Sequence, residues 1–122
     1  MTSHTINNII PAIQGFLATQ PISKAWLFGS YSRGEETKES DVDILVSFEE
    51  GTNMSLFKYA YIICQLESLL KLKVDMVEEG TLLSFAKQNI NHDKILIYDR
   101  KKIILHQPWS SSLRFNNIKR KR

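Results

Sequence analysis

The 122 residues, 43% of them apolar, are enough for one core and too few for two independent domains. No apolar run approaches the ~20 residues that span a bilayer, and the start MTSHTINNIIPAIQGF lacks the charged beginning and unbroken apolar stretch of a signal peptide, so a soluble, cytoplasmic chain without membrane contact is expected. The net charge of +3 hides an uneven distribution: residues 100–122 carry eight Lys or Arg and no acidic residue, so the preceding residues are net −5 and any contact with nucleic acid or an acidic partner falls to the tail.

In chain order, Ile6, Ile9, Ile10, Ile13, Phe16 and Leu17 recur at three- and four-residue spacing, the apolar stripe of a helix. Pro11 is tolerated only in a first turn, which puts the regular start near Asn8 with that side chain as the cap. KAWLFG reads as a short buried strand closed by glycine, with Trp26 in the core. SYSRGEETKE fits a short helical turn and a loop whose glutamates, Glu35, Glu36 and Glu39, are solvated. SDVDILVSF is a second strand, with Val42, Ile44, Val46 and Phe48 alternating against Asp41, Asp43, Leu45 and Ser47.

NMSLFKYAYIICQLESLLK holds no Gly or Pro and suits a helix of four to five turns. Its apolar residues cover more than one face: Leu56, Tyr59, Ile63, Leu66 and Leu70 make a stripe that Phe57, Tyr61, Ile62 and Leu69 widen, so the helix is either deeply buried or covered by a partner. The single cysteine, Cys64, lies among these residues as a core side chain, and being alone it excludes a disulfide framework or a cysteine-based metal site within the chain. KLKVDMVEEG reads as a third strand carrying Asp75, and TLLSFAKQNINHDKILIYD as a helix capped by Thr81. KILIYD with KKIIL reads as a final strand or hairpin. His4, His92 and His106 have no ligand spacing for zinc. The expected division is a domain over residues 1–104 and a basic tail over 105–122. That tail reads as a loose, solvated end, with Trp109 and Phe115 available to stack on RNA.

The chemistry concentrates in LFGSYSRGEETKESDVDILV. A strand's period of two puts Asp41 and Asp43 on one face, about 6–7 Å apart by a rise of ~3.3 Å per residue. Two like charges this close call for a shared proton, an arginine or a divalent cation, and hard oxygen donors favour Mg²⁺ or Mn²⁺. If the third strand lies beside the second, Asp75 completes a three-carboxylate cage of the kind that serves two-metal phosphoryl transfer. Gly29 leaves room for a phosphate at the end of the first strand, the amides and hydroxyl at Ser30 can donate to it, and Arg33 adds a charged donor.

Gly29-Ser30, ten residues, then Asp41-x-Asp43, with Arg33-Gly34 between them, resembles the nucleotidyltransferase superfamily that includes DNA polymerase beta, and within it the minimal nucleotidyltransferases of bacteria and archaea. KLKVDMV is similar to their third-carboxylate strand and ILIYD to their usual ending, so the resemblance covers roughly residues 5–98 and stops before the tail. It implies an α/β (α+β) palm, a small mixed sheet with helices on one face, and Mg²⁺-dependent transfer of a nucleoside monophosphate, commonly AMP from ATP. By the same resemblance Asp41 and Asp43 would hold two Mg²⁺ ions, Asp75 would bind the catalytic one and accept the acceptor's proton, and Gly29, Ser30 and Arg33 would hold the phosphates. The chain is nearly all palm, so something else must present the acceptor. The resemblance implies a small all-helical HEPN-class protein, with the two chains acting as antitoxin and toxin and a partner tyrosine as acceptor. Two other functions fit the same residues: a non-catalytic nucleotide-binding antitoxin that acts by binding alone, and nucleotidyl transfer to RNA or a small molecule.

Overall fold

The first helix begins two residues earlier than its proline predicts. In the computed structural model, which describes residues 6–81 and 92–102, α1 spans Ile6–Leu17 with Pro11 inside it. The helix therefore starts two residues before Asn8, and Pro11 sits in the second turn, where its missing N–H removes one backbone bond. The apolar stripe outweighs that loss: Ile6, Ile9, Ile10, Ile13 and Leu17 are all buried, each worth roughly 1.5–3 kcal/mol.

Four strands follow: β1 (Ile22–Phe28), β2 (Val42–Phe48), β3 (Val74–Glu78) and β4 (Ile95–Asp99). They form one mixed sheet in the order β3-β2-β1-β4. β1 runs antiparallel to both β2 and β4. β2 and β3 are parallel, which requires a crossover, and α3 (Leu56–Leu70) supplies it. Its first turn is capped by Ser55, whose hydroxyl accepts from the Lys58 amide at 3.1 Å. It ends at Lys71, which adopts a left-handed conformation and donates its amide to the Glu67 carbonyl at 2.8 Å.

α1 and α3 pack on one face of the sheet. Val42, Ile44 and Val46 of β2, Ala25 and Leu27 of β1, Val74 and Met76 of β3 and Ile97 of β4 meet Ile10, Ile13 and Leu17 of α1 and Ile62 and Leu66 of α3 in one core. Polar ties fix the layers: the Gln14 amide donates to the Ile97 carbonyl at 2.7 Å and the Tyr59 hydroxyl to the Met76 carbonyl at 2.6 Å. Arg100 clamps the far end, paired with Glu49 at 2.8 Å and donating to the Ile22 and Gln20 carbonyls.

Three side chains depart from their expected burial. Cys64 is exposed, because α3 turns Ile62, Leu66 and Leu70 inward and the cysteine falls on the opposite side. Leu56, expected in the buried stripe, is 83% exposed at the start of the helix. Trp26 is half-buried on the sheet's other face, with the Lys94 ammonium 4.5 Å from its ring centre. Thr81 belongs to a 3₁₀ turn (Glu79–Thr81), its hydroxyl donating to the Glu78 carbonyl at 2.9 Å. The helix expected after it, the end of the KKIIL segment and the tail lie outside the described residues.

Candidate active site

The site forms where β1 ends and β2 begins. Phe28 pairs with Asp43 across the antiparallel ladder, so the next residue, Gly29, lies against the Asp43 side chain. Its backbone (φ 77°, ψ −155°) occupies a region that essentially only glycine enters. A Cβ on Gly29 would stand 2.1 Å from Asp43 Oδ2, well inside contact distance. The glycine is thus required twice, by its own dihedrals and by the carboxylate beside it.

The chain then winds into a single turn, α2 (Ser30–Arg33), closed by Gly34 in the left-handed conformation at φ 74°. The Gly29 carbonyl gathers this turn: it accepts from the Ser32 amide at 3.1 Å, the Arg33 amide at 3.3 Å and the Ser32 hydroxyl at 2.8 Å. Ser32 is buried, as is Tyr31, which anchors the turn in the core. The Ser32 and Arg33 amides are thus committed inside the turn. Nothing in the residue pattern marked Ser32; its role emerges only from its burial.

β2 and β3 place Asp43 directly beside Asp75 in parallel register, on strands separated by ~4.8 Å. Asp41 stands just before β2, exposed. Half-burial raises the Asp43 pKa to about 6, with Asp75 and then Asp41 adding like-charge repulsion and Arg33 partly offsetting it. Among the described residues, however, no three His, Cys, Asp or Glu side chains already converge as a closed metal cluster. Asp41 and Asp75 are exposed to solvent. The donor set of hard oxygens around one half-buried, electrostatically stressed aspartate fits a divalent cation such as Mg²⁺, which would draw the carboxylates together.

Arg33 is held by two acidic side chains. Its Nε donates to Glu35 Oε1 at 2.9 Å and its Nη1 to Asp93 Oδ2 at 3.0 Å, while its charge still reaches Asp43. Asp93, 60 residues further on and two before β4, escaped the sequence reading because only the folded chain brings it to the motif. Glu36 is not simply solvated either: it is half-buried, with Oε1 enclosed and without a hydrogen-bond partner. A depression of ≈ 440 Å³, lined in part by Lys24, Trp26, Ser47 and Lys101, lies toward the other end of the strands from Asp43.

Comparison with known proteins identifies the family. The sequence model of the nucleotidyltransferase domain family matches residues 10–104. A Methanocaldococcus jannaschii protein, provisionally named a protein adenylyltransferase, is 43% identical over 72 residues, 58% of this chain and 72% of that one. The protein adenylyltransferase MntA of Thermococcus cleftensis is 42% identical over 71 residues, 58% of this chain and 70% of that one. Among solved structures, a minimal nucleotidyltransferase so assigned superposes with a TM-score of 0.61 at 34% identity, over 70% of this chain and 86% of that one. A chain from the complex of a tri-AMPylated Shewanella oneidensis HEPN toxin with an MNT antitoxin superposes with a TM-score of 0.56 at 18% identity, over 93% of this chain and 79% of that one, and shares the fold.

Proposed function

Because this chain belongs to the nucleotidyltransferase domain family and is a nucleotidyltransferase, we propose that it is a protein adenylyltransferase, moving AMP from ATP to a hydroxyl of a HEPN-class toxin and thereby serving as its antitoxin. The observation that carries the site's part in this reading is the juxtaposition of Gly29 with Asp43 and of Asp43 with Asp75. Phosphate oxygens approach where no Cβ stands, beside the face on which, among the described residues, β2 and β3 align two carboxylates in register. The protein target is supported by the names of the relatives and by the AMP-bearing toxin in the structural neighbour.

In this reading Ser30 and Arg33 contact the β- and γ-phosphates, and Asp41, Asp43 and Asp75 hold Mg²⁺. The bound ions supply phosphate neutralisation and polarisation at the α-phosphorus. Asp75, exposed at the sheet end, stands where it can take the proton of the acceptor hydroxyl as that oxygen bonds to the α-phosphorus and the bond to the β-phosphate oxygen breaks, releasing pyrophosphate. In this reading the acceptor hydroxyl arrives on another molecule, a folded protein substrate.

The test is incubation with Mg²⁺, α-labelled ATP and a HEPN-class partner, read by intact mass, alongside the Asp41→Ala, Asp43→Ala double variant. A gain of one or more AMP units on the partner with wild type only is the expected result. A partner that is neutralised without mass gain, equally by the double variant, would replace transfer with binding alone.

A further inference from the structure

The sheet face that carries the carboxylates has a second end of opposite charge. Residues opposite one another on β1 and β2 share a face, and Phe28 with Asp43, Trp26 with Leu45 and Lys24 with Ser47 step along it. Ser47 lies four residues beyond Asp43, about 13 Å at a rise of ~3.3 Å per residue. There the depression of ≈ 440 Å³ opens, with the Trp26 indole as one wall and Lys24, Lys101 and Lys102 around it. All three lysines are exposed, and Lys94 adds a fourth ammonium 4.5 Å from the indole centre. Among the described residues none of the four is in an ion pair, since the carboxylates that form such pairs take Arg33, His92 and Arg100. Two carboxylates reach the depression. Asp99 is 5% exposed and accepts from the Lys101 amide at 3.0 Å, which leaves Glu79 as the acidic group on the open wall.

We infer that this trough binds single-stranded RNA, with a base stacked on Trp26, the flanking phosphates on the lysines and Glu79 accepting from a ribose 2′-hydroxyl. Charge complementarity selects a polyanion. The indole set among the ammoniums selects one whose charges alternate with flat rings. An acidic protein segment would use the lysines and leave the indole idle, and a duplex keeps its bases stacked on one another, out of a tryptophan's reach. Glu79 repels a phosphate but accepts from a 2′-hydroxyl, which RNA has and DNA lacks.

A base stacked on an aromatic ring gains more than an ammonium over a partly exposed one, so Lys94 yields the indole and takes the next phosphate. Beyond Lys102 the sequence runs on for 20 residues with five Lys or Arg and no acidic residue, so the chain that leaves the trough is positive as well. The inference does not rest on the transfer reading, because the trough and the carboxylates occupy different ends of the strands.

The test titrates the full-length chain, without ATP, metal or partner, into a fluorescein-labelled pyrimidine RNA of about 12 nucleotides and reads anisotropy. A dissociation constant on the order of 10 µM at about 0.1 M salt is expected. Lys24→Ala with Lys102→Ala, both at exposed positions that spare the fold, should lower the slope of log affinity against log salt by about 1.4, the share of two phosphates on a single strand. Trp26→Val, which keeps a strand former, should weaken binding about tenfold with the far-UV circular dichroism unchanged. In a Trp109→Phe background, which leaves Trp26 as the sole tryptophan, RNA should quench the intrinsic fluorescence. The same strand built on deoxyribose should bind at least threefold more weakly. No binding at 100 times the expected dissociation constant overturns the inference. So does an affinity that neither set of substitutions moves, a Trp26 fluorescence indifferent to RNA, a deoxyribose strand that binds equally, or polyglutamate that binds as tightly as RNA.

Discussion

Replacing Asp43 by asparagine should make the metal-free protein more stable at neutral pH and inactive at every pH. The Asp43 carboxyl sits at about 6 against an ordinary value of 3.8, chiefly through burial and then through Asp75 and Asp41. Between those two values the folded chain keeps a proton that the unfolded chain has released, so stability rises as pH falls from about 7 toward 4.5 and is reduced above 6, where the charge is forced on the buried group. The full displacement corresponds to a ceiling near 3 kcal/mol. Because the group is only half-buried, solvent screening brings the expected effect to about 1 kcal/mol. Asp43→Asn, which keeps the shape and removes the charge, should therefore raise the melting temperature by roughly 3–6 °C at pH 7.5, with the advantage shrinking as pH falls through 6 and vanishing only below the unfolded value of 3.8. Mg²⁺ at a hundredfold excess over its dissociation constant should stabilise wild type by about 2.7 kcal/mol at pH 7.5, and the variant far less. Differential scanning calorimetry of both proteins with EDTA or Mg²⁺ across that pH range measures each quantity. A variant less stable than wild type at pH 7.5, or a difference that does not change with pH, would refute the claim that like-charge crowding and burial set this carboxyl.

Gly29→Ala should cost 3 kcal/mol or more, from its dihedrals and the clash with Asp43; in urea titrations the loss should shrink when Asp43 is also alanine, since only the backbone penalty then remains. Ser32→Ala removes a buried hydroxyl from the Gly29 carbonyl and should lower stability by about 1 kcal/mol, read as a shift in the urea midpoint without change in slope. Asp93→Asn breaks one arm of the Arg33 pair, whose members are 40% and 24% exposed; stability should move by less than about 1 kcal/mol, while the dissociation constant for ATP, measured by calorimetry, should change as Arg33 is released toward the phosphates.

Much of this protein was determined locally. The alternation in SDVDILVSF, the glycine closing β1, the short turn in SYSR and the long uninterrupted helix over α3 are each set by neighbours a few residues apart, through the period of two, the turn preferences of glycine and the spacing of apolar residues. The motif joining Gly29, Ser30, Asp41 and Asp43 was legible for the same reason. Only the folded chain decided that α1 would begin before Asn8, at Ile6, because the reward for burying Ile6 comes from residues far along the chain. It also decided how far the inner face of α3 extends, leaving Leu56, Phe57 and Cys64 outside, since apolar residues widen that helix's stripe past one face. The pairing of Asp43 with Asp75 depends on the parallel register of β2 and β3, and the tethering of Arg33 depends on Asp93 arriving with β4. The site's residue types were written in short segments, but its electrostatics arise between segments, where charge and burial act through space rather than along the chain.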